Sequence, residues 1–187
     1  MTLHRRLRTA AALLLAFAGV PAGAAVSAPA AAEHGAAAFY RAYLDTRPAG
    51  VPSARVREKL AAVLSPQLAD LLQRADAAER RYRSVTKNAV PPLVEGDLFT
   101  SLFEGAQAFA VRECHRGTAG GAACTIELRY GEGANAVQWT DKLFLVRHGG
   151  RWVADDIEFG GDWQFMHKGR LREILRRVIR DGNQARS

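Results

Sequence analysis

Two hydrophobic periods divide the chain. Over residues 36–81 apolar side chains recur at helical spacing, and from about residue 106 they alternate as they do in strands. Ala36, Phe39, Tyr40, Tyr43 and Leu44 mark a first helical stripe, broken by "TRPAGVP". Ser53 is placed to cap a second helix with Val56, Leu60, Val63 and Leu64 on one side. Pro66 opens a third, with Leu68, Leu71, Leu72, Ala75 and Ala78 inward and Arg74, Glu79, Arg80 and Arg81 outward; Pro91–Pro92 closes this half. "AQAFAVREC", "CTIELRY", "AVQWTDKLFLVRH" and "RWVADDIEFG" read as strands. Gly149–Gly150 reads as the turn of a hairpin, because two-residue turns need positive φ at their central positions. A last helix carries Leu171, Ile174, Leu175, Val178 and Ile179 on one face; Gly182 is expected to stop it, and Arg176, Arg177 and Arg180 suit its negative end. The pattern predicts an α+β domain with N-terminal helices on a curved antiparallel sheet of about four strands and a closing amphipathic helix.

The first 24 residues read as an export signal: Arg5, Arg6 and Arg8 precede the apolar run "AAALLLAFAGV", and "AGA" supplies small residues for cleavage. The run is too short to span a bilayer, so no transmembrane helix is expected. No cysteine lies near residue 25, which argues against a lipid anchor. The expected organisation is a signal over 1–24, an Ala-rich mobile lead-in over 25–34, one domain over 35–181 and a flexible tail over 182–187, in a periplasmic or secreted product. Removing the signal takes three arginines and no acid, which lowers the net charge from +7 to +4. The basic C-terminal stretch has neither stacking aromatics nor a reading motif beside it, so nucleic acid is not an expected partner. Export points the same way.

The strongest candidate chemistry is Asp155–Asp156, between Trp152 and Trp163. With Gly149–Gly150 as the whole turn, Phe144 faces Asp155, Leu143 faces Asp156, and Asp141 faces Glu158. Alternation then sends the two aspartates to opposite surfaces, too far apart to share a proton. Asp155 is the candidate general base, if its side covers the helices, with Tyr40 or Tyr43 orienting a substrate. A buried Asp155 bonded to Lys142 or to helix N–H groups is the plainer reading. On the other side Trp139, Asp141, Trp152, Asp156 and Glu158 are the candidate binding residues, with Asp141 and Glu158 facing water or a basic partner. Both sides of the hairpin are half apolar. The one that does not cover the helices is a possible homodimer or protein-binding face.

Cys114 and Cys124 are the only cysteines and are expected to pair in an oxidising compartment. A directly opposed pair sets the apolar sides of the two strands out of phase. Restoring the match requires a β-bulge near Arg112–Glu113 or a disulfide beyond the ladder. Asp97 is expected to cap a short helical turn that buries Leu98, Leu102 and Phe103, rather than to pair with Glu104 as acid and base. Outside the signal the histidines are His34, His115, His148 and His167, none spaced to a nucleophile, and all are expected at the surface. No zinc-ligand spacing, P-loop, dinucleotide fingerprint or GxSxG occurs, and no metal or cofactor is expected.

The segments "EGDLFTSLFEGAQAFAV" and "WTDKLFLVRHGGRWVADDIEFGGDW", with three helices before the strands, resemble a family of bacterial exported proteins with the cone-shaped nuclear transport factor 2-like (ketosteroid isomerase-like) fold, over about residues 35–181. The resemblance implies a curved sheet wrapped round a helix and a pocket between them. It carries no catalytic residue across, because that fold hosts enzymes, binding modules and toxin-immunity proteins. The leading expectation is an exported, non-catalytic binding or protein-interaction module with an unknown protein or small-molecule ligand. A periplasmic toxin-immunity protein is one version of it. A small isomerase, dehydratase or hydrolase using Asp155 in the cone pocket is the alternative. A third is an envelope protein whose basic C-terminal helix touches anionic polymer or lipid.

Overall fold

The structure, a computed structural model, describes residues 28–163 and 167–185. The expected signal over 1–24 lies outside the described residues. Helices α1 (Ala28–Thr46), α2 (Ala54–Leu60) and α3 (Pro66–Thr86) come first, with a 3-10 turn over Ala61–Val63 between the last two. Strands β1 (Ala108–Arg116), β2 (Ala122–Tyr130), β3 (Val137–His148), β4 (Arg151–Phe159) and β5 (Gly169–Arg170) follow, then α4 (Leu171–Gln184). The strands form one open antiparallel sheet in sequence order. The α+β reading holds, with a fifth strand of two residues added at the edge of β4.

Helix α1 packs across β1 to β4 and buries Ala36, Phe39, Tyr40 and Tyr43 against the inner sheet face. That face is built from Ile126 and Leu128 of β2, Leu143 and Leu145 of β3, and Ala154 and Ile157 of β4. The helix begins earlier than expected. Residues 28–34, read as a mobile lead-in, are its first turns, and Ala32 is fully buried. Alanine suits both readings, since it is the best helix former and forms no polar contact that would reveal the docking.

Helices α3 and α4 pack on each other beyond the edge of β4. Ser65 begins α3, where its Oγ accepts from the Leu68 amide at 3.0 Å and its own amide donates to the Ala154 carbonyl at 2.7 Å. Gly182, expected to stop α4, instead lies buried inside it, and the helix runs on to Gln184, into the expected tail. A Cβ at Gly182 would stand 2.5 Å from the Ala78 carbonyl oxygen of α3, so this glycine permits close helix contact rather than ending a helix.

The cysteine hairpin follows the bulge prediction. Val111 pairs with Ile126 and Cys114 with Cys124, so the register shifts by one residue at Arg112–Glu113, and the two cysteines form a disulfide.

Candidate functional site

The β3–β4 hairpin keeps the expected register only over its first half. His148 faces Arg151, Arg147 faces Trp152, Val146 faces Val153 and Leu145 faces Ala154; then the register slips, and Phe144 faces Asp156. Asp155 is the extra residue of a β-bulge. A strand without it would send Ile157 and Phe159 outward and Asp156 and Glu158 inward. The bulge reverses that parity. Leu143 pairs with buried Ile157 on the inner face, while Phe144 pairs with Asp156 and Lys142 with Glu158 on the outer face. The expected pairs Phe144–Asp155, Leu143–Asp156 and Asp141–Glu158 are therefore corrected.

Slippage also overturns the expectation that the two aspartates point to opposite surfaces. Asp155 accepts from Ser65 Oγ at 2.6 Å and from the Arg172 guanidinium at 2.5 Å. Asp156 Oδ1 accepts from the backbone amides of Ile157 at 2.9 Å and Arg172 at 3.0 Å, which places a carboxylate at the start of α4. Both acids thus meet Arg172, and neither uses Lys142, which pairs with Glu158 instead. Burial pushes the Asp156 carboxyl above the usual range, against the pull of the Arg172 amide and Arg170. Glu158 lies below its ordinary value, chiefly through its 2.9 Å bond from Arg170. The Arg170 guanidinium stands 4.2 Å from the centre of the Phe144 ring.

Asp155, Asp156, Phe144, Arg170 and Arg172 line a cleft of about 630 Å³ on the outer face. One wall is the β1–β2 connection with Arg116, Gly117 and Thr118; the other is Arg170 and Arg172; Phe144 and Val146 form the floor. Arg116 is exposed and has no ion-pair partner among the described residues.

A second polar cluster lies inside the core. The Tyr43 hydroxyl donates to Asp97 Oδ2 and accepts from the Ala106 amide, both at 2.8 Å. Asp97 Oδ1 accepts from the amides of Phe99 at 2.8 Å and Thr100 at 2.7 Å. Its predicted capping geometry is present, yet the segment forms no helix, and Phe103 is exposed rather than buried. Burial raises the Asp97 carboxyl to about 6 despite these bonds. His167 Nε2 lies 2.8 Å from the Asp97 carbonyl oxygen, and burial lowers its pKa. Of the four histidines outside the expected signal, His34, His115 and His148 are exposed as expected and His167 is half-buried.

Asp141, expected to face water, is 1% exposed. It accepts from the Ser101 hydroxyl and amide, the Gly160 amide and the Trp139 indole N–H, so four donors replace water. Tyr40 is also fully buried, and its hydroxyl has no hydrogen-bond partner among the described residues.

The candidate residues therefore fall into separate places. Tyr40, Tyr43, Trp139 and Asp141 are sealed in the core, and Trp152 lies under α1, whose Gly35 would place a Cβ 2.7 Å from Trp152 Cβ. Asp155, Asp156 and Glu158 lie at the outer cleft or its rim. Asp155 is not brought together with either tyrosine. Sequence reasoning overlooked Arg170, Arg172 and Ser65. The signal available was an alternating Arg-x-Arg at the start of a helix, opposite a strand rich in acids.

Among the described residues no group of three or more His, Cys, Asp or Glu side chains could hold a metal ion, and no helix is long and apolar enough to cross a membrane. No protein-family model matches the chain, and no curated protein matches it.

Proposed function

We propose that the protein is an exported, non-catalytic binding module of the nuclear transport factor 2-like kind, and that its outer-face cleft holds an anionic ligand. The observation that carries this reading is the cleft of about 630 Å³, where Arg116, Arg170 and Arg172 surround a floor of Phe144 and Val146. Asp155 and Asp156 hold Arg172 and the first turn of α4 in place, leaving Arg116 and part of Arg170 to meet a ligand. Rigid guanidinium groups beside an aromatic surface suit a carboxylate or phosphate attached to a flat apolar group. The Cys114–Cys124 disulfide supports an oxidising compartment. Against catalysis, the acids in the cleft are bound to arginine, while the tyrosines are sealed on the far side of the sheet.

Benzoate, acetate and inorganic phosphate provide the test, titrated into the isotope-labelled protein by NMR. Saturable amide shifts are expected at Phe144, Arg170 and Arg172, larger for benzoate than acetate, and lost in Arg116→Glu. Equal responses in Arg116→Glu would remove the cleft as the site. Shifts at the same residues that depend on protein concentration alone would replace a ligand with a second copy of the chain.

A further inference from the structure

A different cavity lies on the other side of the β3–β4 turn. It holds about 400 Å³ between α1, residues 62–63 and the hairpin tip. One side is the stripe Ala31, Gly35 and Ala38, at positions i, i+4 and i+7 of α1. Gly35 is dictated by the close crossing over Trp152, described above, and the alanines keep the rest of the stripe low. Ala62 and Val63 form the opposite side, with Trp152 between them. The result is a trough of small apolar side chains, within the size range of small-molecule sites.

Its rim is one-signed. His34, Arg147 and Arg151 line the groove, and no carboxylate does. Arg147 leans over the Trp152 ring at 5.4 Å, and neither arginine has an ion-pair partner among the described residues. This sets the groove apart from the outer cleft, where Arg170 and Arg172 are already bound to acids. An apolar trough ending in two unneutralised guanidinium groups is complementary to a ligand with a hydrocarbon tail and an anionic head. We infer that the groove between α1 and the β3–β4 hairpin binds an alkyl carboxylate, with the tail along Ala31, Gly35, Ala38 and Val63 and the head at Arg147 and Arg151. The site is independent of the outer cleft.

Calorimetric titration of the purified protein with octanoate, decanoate and dodecanoate, below their self-association concentrations, tests the assignment. Each buried methylene should tighten binding about fourfold until the trough is filled. Decanol should bind at least about tenfold more weakly than decanoate, and Arg151→Glu should weaken decanoate by a similar factor. Ala62→Phe, an exposed position where the larger ring can occupy the trough without entering the core, should abolish the chain-length dependence. Arg81→Glu, an exposed charge reversal on α3 outside both cavities, should leave decanoate binding unchanged. Affinity independent of chain length, decanol equal to decanoate, or full binding in Arg151→Glu would each overturn the inference. So would an acidic peptide that binds at Arg151 where decanoate does not.

Discussion

Asp97 carries a pH-dependent consequence in the range where the fold is commonly handled. Its carboxyl is raised from 3.8 to about 6 because burial outweighs the bonds from Tyr43, Phe99 and Thr100. Between those values the native chain holds a proton that the unfolded chain has released. Its contribution is therefore fully present below about pH 4 and is lost as pH rises through 6, a swing of about 3 kcal/mol. Asp141 and Asp156, also raised by burial, act in the same direction, while Glu158, lowered by Arg170, acts the other way at lower pH, and His167, lowered by burial, opposes part of the decline as pH rises toward 6.5. Denaturant titrations at pH 4, 5, 6 and 7 should show this decline, and Asp97→Asn should flatten most of it. An undiminished slope in Asp97→Asn would assign the effect elsewhere. The buried charge is retained because it closes the segment between α3 and β1: without it, Tyr43 and the amides of Phe99 and Thr100 would lose their acceptor.

Between elements, a single close approach or inserted residue decides how the pieces fit. Gly182→Ala should gain up to about 1 kcal/mol from helix propensity but lose about 1–3 kcal/mol by forcing α4 off the Ala78 carbonyl. A lower melting temperature is the expected outcome, and a higher one would mean that the α3–α4 contact relaxes freely. Periodicity was sufficient to find all four helices and the four long strands, because their apolar stripes face a single core. It failed where parity changes. Trp152 and Ala154 lie on one phase of β4, Ile157 and Phe159 on the other, and this mismatch was as visible as that of the cysteine hairpin, where it led to the correct bulge. Treating the diglycine turn as the register for the whole β3–β4 ladder hid it, and misassigned Asp156 and Glu158 in consequence. Asp141 was misjudged for another reason: its four donors come from residues 101, 139 and 160, and that convergence exists only in three dimensions. Gly182 and the early start of α1 were hidden likewise, since glycine and alanine act here by letting a neighbour come close.

Across the whole molecule, the disulfide ties the β1–β2 end of the sheet, while α3 and α4 pack on each other beyond its β4 end. Cys114–Cys124 closes the β1–β2 connection that forms one wall of the outer cleft. Loop-closure entropy makes a crosslink of this span worth about 3 kcal/mol. Cys114→Ser with Cys124→Ser should lower unfolding free energy by about 2–4 kcal/mol in denaturant titration and loosen amide protection in residues 114–124 before β3 and β4. Uniform loss of protection would show that the sheet unfolds as one unit.

Strand β1 has a sheet neighbour on one side only. Its outer row of amides and carbonyls is an invitation to lateral growth by another chain, yet the register break at Arg112–Glu113 falls in its middle, with both charged side chains exposed. A would-be neighbour could zip along four residues, Ala108 to Val111, before the spacing failed and unlike charges had to be stripped of water. The kink that lets two sulfur atoms meet thus also guards the border of the sheet against fibril-like stacking.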